Sequence, residues 1–252
     1  MPFDDVQKFS NAAIAKSKLL SEHPGKYFIR AVMAGFFIAV AMIYSNVVGN
    51  LFSNDGLTAW GKFLSALVFA IAVLLIVFIG SELFTGNNFI MAFGAFDKAV
   101  GWGQVVKVWV VSYIGNFVGC FLFSGIWVLA GASQTQDYFA GFIDGKLSIA
   151  PGEMFFRAVL CNFFVCLAVA CGTKCKEETA KFLMIVICIS GFVASGFEHC
   201  IANMATFTVA GFVVPGVSIS SMLFSMLIVT LGNIVGGALL LGLPLRKMSA
   251  DK

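Results

Sequence analysis

Two apolar stretches in this chain are too long to be simple membrane crossings and too polar at their centres to be ordinary core. A helix that crosses a bilayer needs about 20 apolar residues. Residues 63–96 and 182–214 run to 34 and 33 residues, and a straight helix of that length would extend roughly 50 Å. Each stretch carries a carboxylate and a knot of Gly, Asn or Thr near its middle: "GSELFTGNNF" at 80–89 and "ASGFEHCIAN" at 194–203. Backbone that leaves helical geometry in hydrocarbon must be buried in protein or line a watery path. The spacing therefore predicts two broken rods. In the first, a half-helix ends near Gly80 and a second begins near Asn87, with Gly80 and Gly86 permitting unusual dihedrals. The second repeats the plan around Gly196 and Asn203.

Composition fixes the solvent. With 60% hydrophobic and 12% charged residues, such a surface would aggregate in water, so lipid surrounds it. The 252 residues hold no polar block large enough for a soluble domain. The expectation is one all-α transmembrane channel domain over 1–252, with six spans near 28–53, 63–96, 105–132, 154–173, 182–214 and 216–243. A leader, 1–24, precedes a first repeat, 25–132, and a second, 150–245.

The leader is no secretory signal, because Asp4, Asp5, Lys8, Lys16 and Lys18 interrupt any apolar core. Phe3, Val6, Ala13, Ser17 and Leu20 recur at roughly helical spacing, which predicts a cytoplasmic helix on an anionic membrane surface; a solvated leader is the plainer alternative. Seven cysteines sit mostly inside apolar runs, where thiols act as small packing residues. Their odd number argues against a disulfide framework. Cys171 and Cys175 have weak metal-ligand spacing and no nearby histidine, so no metal and no cofactor are expected.

Orientation follows from the cations. With the N-terminus inside, the inner segments hold Lys8, Lys16, Lys18, Lys26, Arg30, Lys98, Lys107, Lys174, Lys176, Lys181, Arg246, Lys247 and Lys252. The outer segments hold only Lys62, Lys146 and Arg157. Both termini are therefore expected in the cytoplasm of a multi-pass protein of the cell inner (plasma) membrane. The small net charge of +3 says nothing for nucleic acid.

The halves resemble each other. "FIRAVMAGFF" at 28–37 parallels "FFRAVLCNFF" at 155–164, "SELFTGN" at 81–87 parallels "FEHCIAN" at 197–203, and "GNFVG" at 115–119 parallels "GNIVG" at 232–236. The matches align Arg30 with Arg157, Glu82 with Glu198 and Asn87 with Asn203. Three spans per half put the second half upside down relative to the first, an inverted repeat of the kind common in transport proteins. The two breaks then meet near the midplane, where half-helix N-termini suit an anion.

Glu82 and Glu198 occur in both halves, which fits loop-stabilising staples. His199 has Leu83 as its repeat partner, so symmetry does not require it. A satisfied core histidine is the usual reading on an apolar face. Here the loop context favours a donor or proton carrier for a passing anion. Thr85 offers a hydroxyl from the opposite loop. Leu83, Phe192, Val73 and Phe69 are candidates for an apolar constriction, with ordinary packing as the alternative. Lys146, in "FIDGKLSIAP", reads as a solvated loop charge or an anion attractor at the outer mouth.

"SELFTGN", "CNFFVCLAV" at 161–169, "AKFL" at 180–183 and "GFEHCIANM" at 196–204 resemble the formate/nitrite transporter family over nearly the whole chain. The resemblance implies a homopentamer of six-span, aquaporin-like protomers, each with its own pore for small monovalent anions such as formate, nitrite, acetate, lactate or hydrosulfide. By resemblance the substrate pathway comprises His199, Thr85, Lys146, Asn162 and Asn203, and the constrictions Leu83 with Val73 inside and Phe192 outside. It also implies that the first broken segment is a movable gate, and that the N-terminal helix can close the inner mouth. A hydrosulfide channel of the same family is an alternative, and whether passage is pH-gated or proton-coupled stays open. Two other classes fit the residues less well. A water or polyol channel normally carries Asn-Pro-Ala at both half-helix starts, and neither Asn87 nor Asn203 precedes a proline. A bis-histidine haem protein needs paired imidazoles across helices, whereas the second histidine, His23, lies in the leader. No enzymatic centre is expected.

Overall fold

The computed structural model describes residues 2–131 and 136–249, which are helical wherever they are regular. Residue 132 at the end of the third expected span, Lys252 and the Phe3 side chain lie outside the description. The chain runs α1 (Phe3–Glu22), α2 (Pro24–Asn54), α3 (Thr58–Phe69), α4 (Ile71–Ile79), α5 (Phe84–Phe96) and α6 (Trp102–Leu129) in its first half. The second half runs α7 (Gln136–Leu147), α8 (Pro151–Lys174), α9 (Glu178–Ala194), α10 (Cys200–Val213), α11 (Ile219–Ile234), a π-helical turn region (Val235–Gly242) and α12 (Leu243–Lys247). Among the described residues, five helical runs are long and apolar enough to cross a membrane: α2, α3 with α4, α6, α8, and α11 through α12. The α10 helix is a shorter apolar one.

Both long stretches break where glycine allows it. Gly80 and Gly196 adopt left-handed φ values of 84° and 69°, a region that costs a residue with a Cβ about 1–2 kcal/mol. The α4 helix closes there with the Gly80 and Ser81 N–H groups donating to the Ile76 carbonyl at 3.0 and 2.9 Å. Helix resumes at Phe84 and Cys200, three residues earlier than the Asn87 and Asn203 starts expected from sequence.

The reason is a pair of asparagines on other helices. Asn116 of α6 donates from Nδ2 to the carbonyls of Ala31 (2.8 Å) and Glu82 (2.9 Å), and its Oδ1 accepts the Phe84 N–H at 2.9 Å. Asn233 of α11 does the same in the second half: Nδ2 donates to Ala158 (2.7 Å) and Glu198 (2.9 Å), and Oδ1 accepts the Cys200 N–H at 2.9 Å. The Glu82 and Glu198 N–H groups complete each break by donating to the carbonyls of Arg30 and Arg157. One hydrogen-bond scheme is thus used twice, and it fixes which backbone groups of each break are satisfied in a lipid-excluded interior.

The glycines around those asparagines explain the rest of "GNFVG" and "GNIVG". A Cβ on Gly115 would run into Ala31, and one on Gly119 into the Val32 carbonyl. In the second half Gly232 and Gly236 stand in the same relation to Ala158 and the Val159 carbonyl. Small residues at the crossing let α6 and α2, and α11 and α8, approach backbone to backbone, which brings each asparagine within reach of its break.

Two elements differ from expectation. The leader helix α1 turns its apolar stripe toward protein: Val6, Phe9, Ala13 and Leu20 are buried, and the Phe9 ring meets Phe89 and Phe93 edge-on at 5.1 and 5.2 Å. The face expected to lie on lipid covers α5. The polar segment before α8 also folds, into α7, which packs its Ile143 against Phe207 and Met222.

Candidate functional site

The two breaks meet. The N-terminal ends of α5 and α10 bring Thr85 and His199 together, with Oγ1 and Nε2 at 2.9 Å; both side chains are buried. His199 caps α10, its Nδ1 accepting the Ala202 N–H at 3.1 Å. A ring nitrogen that accepts cannot carry the proton, so the neutral imidazole holds it on Nε2 and donates it to Thr85 Oγ1. The Thr85 hydroxyl hydrogen is left to point elsewhere.

Two cavities approach this contact; His199 lines one of them, while Thr85 is fully buried and lines neither. One, of about 770 Å³, is lined by His199, Phe192, Glu198, Lys146 and Asn203 among others. The other, of about 340 Å³, is lined by Glu82, Leu83, Asn87 and Lys16 among others. Phe192 lines the larger cavity beside the histidine: its ring lies 6.0 Å from that of His199 and 6.0 Å edge-on from that of Phe69. Leu83 faces the smaller cavity. Val73 is buried in the core and lines neither.

The two carboxylates are matched as closely as the backbone. Glu82 Oε2 accepts from Lys16 Nζ at 2.7 Å, Asn87 Nδ2 at 3.1 Å and the Tyr27 hydroxyl at 3.2 Å. Glu198 accepts from Lys146 Nζ at 2.9 Å and Asn203 Nδ2 at 2.8 Å. A charge buried alone costs several kcal/mol, which a partner with further hydrogen bonds offsets. Each cation comes from the helix that leads its half, α1 or α7. Lys146 is therefore a half-buried ion-pair partner, where its segment had left a solvated charge and an anion attractor both open.

Asn162 lines neither cavity. Its Nδ2 reaches the Thr85 carbonyl (3.3 Å), Asn88 Oδ1 (3.0 Å) and the Asn233 carbonyl (2.6 Å), so it braces the start of α5 against α11 from behind. Asn203 lies in the wall of the larger cavity.

Sequence reasoning passed over four residues that build this site: Asn116, Asn233, Lys16 and Tyr27. The repeated asparagine of "GNFVG" and "GNIVG" was a signal for the first two. Lys16 and Tyr27 gave none, since their partner lies 66 and 55 residues away. Among the described residues no group of three His, Cys, Asp or Glu side chains could hold a metal ion.

Comparison with known proteins places this geometry. A family model described as "Formate/nitrite transporter" matches residues 4–246. The nitrite transporter NirC of Escherichia coli (strain K12) is 29% identical over 245 residues, covering 95% of this chain and 90% of its own. A solved "FNT family ion channel" superposes with a TM-score of 0.92 at 27% identity, over 98% of this chain and 99% of that one. A "Pentameric formate channel with formate bound" does so with a TM-score of 0.74 at 28% identity, over 88% and 96%.

Proposed function

The chain belongs to the formate/nitrite transporter family, and on that premise we propose that it is a pore for small monovalent anions of the formate and nitrite kind. Its relatives are named as transporters and channels, and the fold is that of a multi-pass membrane protein. The observation that carries the reading is the Thr85–His199 contact at 2.9 Å, closed between two cavities of one chain. It supports a pathway interrupted by a single polar step inside an apolar wall.

We propose six crossings in two inverted repeats, with both termini in the cytoplasm as the distribution of cations indicates. The larger cavity then opens outward and the smaller one inward. Five copies assemble, as the relationship to a pentameric channel suggests. The single-domain division into a 1–24 leader, a 25–132 repeat and a 150–245 repeat goes with this arrangement.

An anion that enters either cavity leaves bulk water and reaches a neck formed by Phe192 on one side and Leu83 on the other. Full desolvation of a charge there is expensive. The Thr85 hydroxyl, whose oxygen is already taken by His199 Nε2–H, has its hydrogen free to donate to the anion. The imidazole stabilises that donor and is the one group at the neck able to give up or regain a proton. The anion passes either alone or with a proton from this pair, and pH selects between the two modes. Lys146 with Glu198, and Asn203 beside them, line the outer approach as a hydrogen-bonded set with no net charge. Asn162 holds the Thr85 end of α5 in place.

The test is flux through proteoliposomes. His199→Phe abolishes formate and nitrite passage while the assembly keeps its size. Thr85→Ser keeps the hydroxyl and near-normal flux, and Thr85→Val loses about ten- to a hundredfold, the equivalent of ~1.5–3 kcal/mol for a hydrogen bond to a charged group. Normal flux in His199→Phe rejects this mechanism. A side-by-side panel of formate, nitrite, hydrosulfide, lactate and acetate across pH identifies the preferred anion.

A further inference from the structure

Asn116 and Asn233 each hold the start of one half-helix, and each is preceded one turn earlier by a side chain that reaches the same start. That residue is Tyr113 on α6 and Thr230 on α11, three positions before the asparagine in both cases, a spacing that places the two on one helix face. Tyr113 extends the hold on α5: its ring meets that of Phe84, the first residue of α5, edge-on at 4.9 Å. Thr230 does so for α10, since its hydroxyl lies within reach of the thiol of Cys200, the first residue of that helix.

These two equivalent side chains also meet each other, Tyr113 Oη and Thr230 Oγ1 being hydrogen-bonded at 3.0 Å. A continuous line of contacts results, Phe84–Tyr113–Thr230–Cys200, with one end on each half-helix start. Thr85 follows Phe84 and His199 precedes Cys200, so the polar contact at the neck and this line span the same two starts. The asparagines do not. The groups that Asn116 bonds all belong to the first half, and those that Asn233 bonds all belong to the second. Asn162 does cross between halves, but it reaches the Thr85 carbonyl and Asn88 as a brace behind α5.

We propose that Tyr113 and Thr230 are positioning residues for passage: their hydroxyl pair is a strut that sets the separation of the two half-helix starts. It thereby holds Thr85 and His199 at the spacing that admits formate and resists a bulkier carboxylate. A hydrogen bond weakens steeply with distance and misalignment, so the pair tolerates little drift between the starts. Removing either hydroxyl leaves the Phe84 and Tyr113 rings packed but lets the starts part. The assignment rests on the anion-pore reading above and adds which residues set the gap.

The experiment measures initial rates of formate and acetate uptake into proteoliposomes, with the assembly sized in detergent for each variant. Tyr113→Phe and Thr230→Val keep the assembly, and each lowers the formate-to-acetate rate ratio about three- to tenfold, the scale of one hydrogen bond. The double variant lowers it no further than either single one, because all three lose the same bond. Thr230→Ser, which keeps the hydroxyl, restores the wild-type ratio. A merely structural role would reduce both fluxes together and leave the ratio in place. An unchanged ratio in Thr230→Val, or a double variant whose loss is the product of the two singles, overturns the strut. Wild type without formate flux overturns the pore reading itself, so the two failures are told apart.

Discussion

Asn116 and Asn233 each satisfy three backbone groups that would otherwise be stranded in an interior without water. Leaving a buried polar group unpaired costs about 1–3 kcal/mol, so either Asn→Ala change should destabilise the protein by on the order of 3 kcal/mol after partial relaxation. Because the two schemes are equivalent, the two losses should agree to within about 1 kcal/mol. Thermal unfolding in detergent measures both, and a large loss in one half alone would show that the repeat is geometric without being energetic. At this scale the sequence disclosed chemistry better than geometry. It singled out His199, Thr85 and both glutamates as polar residues out of place. It assigned the backbone repair to the breaks' own polar residues, Glu82 and Glu198 with Thr85, Asn87 and Asn88, whereas the structure gives it to Asn116 and Asn233 on other helices, whose amides donate and accept at once where a carboxylate only accepts. Lys146 read as a solvated charge or an anion attractor; that it pairs with Glu198, 52 residues away, is not written in its local sequence.

The breaks themselves were legible, since a 34-residue apolar run with glycine and an acid at its centre has no other way to fit a bilayer. Their far ends were not, because Phe84 and Cys200 begin helices under the control of Asn116 and Asn233, a long-range instruction invisible to local propensity. Helix crossings carry the same lesson. Gly119 touches the Val32 carbonyl, while Gly125, two turns further along α6, has nothing within 4 Å of its notional Cβ. Gly119→Ala should therefore cost about 1–3 kcal/mol by overpacking, and Gly125→Ala should be neutral or stabilising by up to about 1 kcal/mol. Equal melting temperatures for the two would contradict the close crossing. The leader α1 makes a further point about elements. Its stripe was readable but its partner was not, and its attachment includes Asp5, which binds Lys174 at 2.9 Å and Lys8 at 3.1 Å. The hydrogen bond from Lys174 holds the Asp5 carboxyl below its usual range. A depressed carboxyl contributes fully at neutral pH and loses its contribution as pH falls through the native value. Protection of the α1 amides against hydrogen exchange, relative to the intrinsic rate at each pH, should thus be steady from about pH 5 to 8 and fall below about pH 4, the ordinary range for this side chain. Asp5→Asn should show the faster exchange already at neutral pH; if it does not, the Lys174 contact does not hold the helix.

For the whole molecule, the pathway proposed above lies within one chain. Both cavities and the Thr85–His199 contact come from a single protomer, and Thr85 and His199 are drawn from different halves. Much of the outer surface is apolar: Trp60, Phe63, Phe156, Ile187 and Leu223 are exposed, as befits faces that meet lipid or a neighbouring copy. If the five copies proposed here each conduct on their own, assembly shields apolar surface without creating the pore. Mixed assemblies separate this from a conduit on the central axis. Wild-type protein co-expressed with His199→Phe should carry formate in direct proportion to the wild-type fraction, because each blocked protomer silences only itself. A shared axial conduit would lose flux far more steeply than that fraction, since one altered copy would suffice to alter it. Linear dependence, measured with native mass spectrometry confirming random mixing, is the expected result; a steep curve would move the pathway out of the protomer and take the roles of Thr85 and His199 with it.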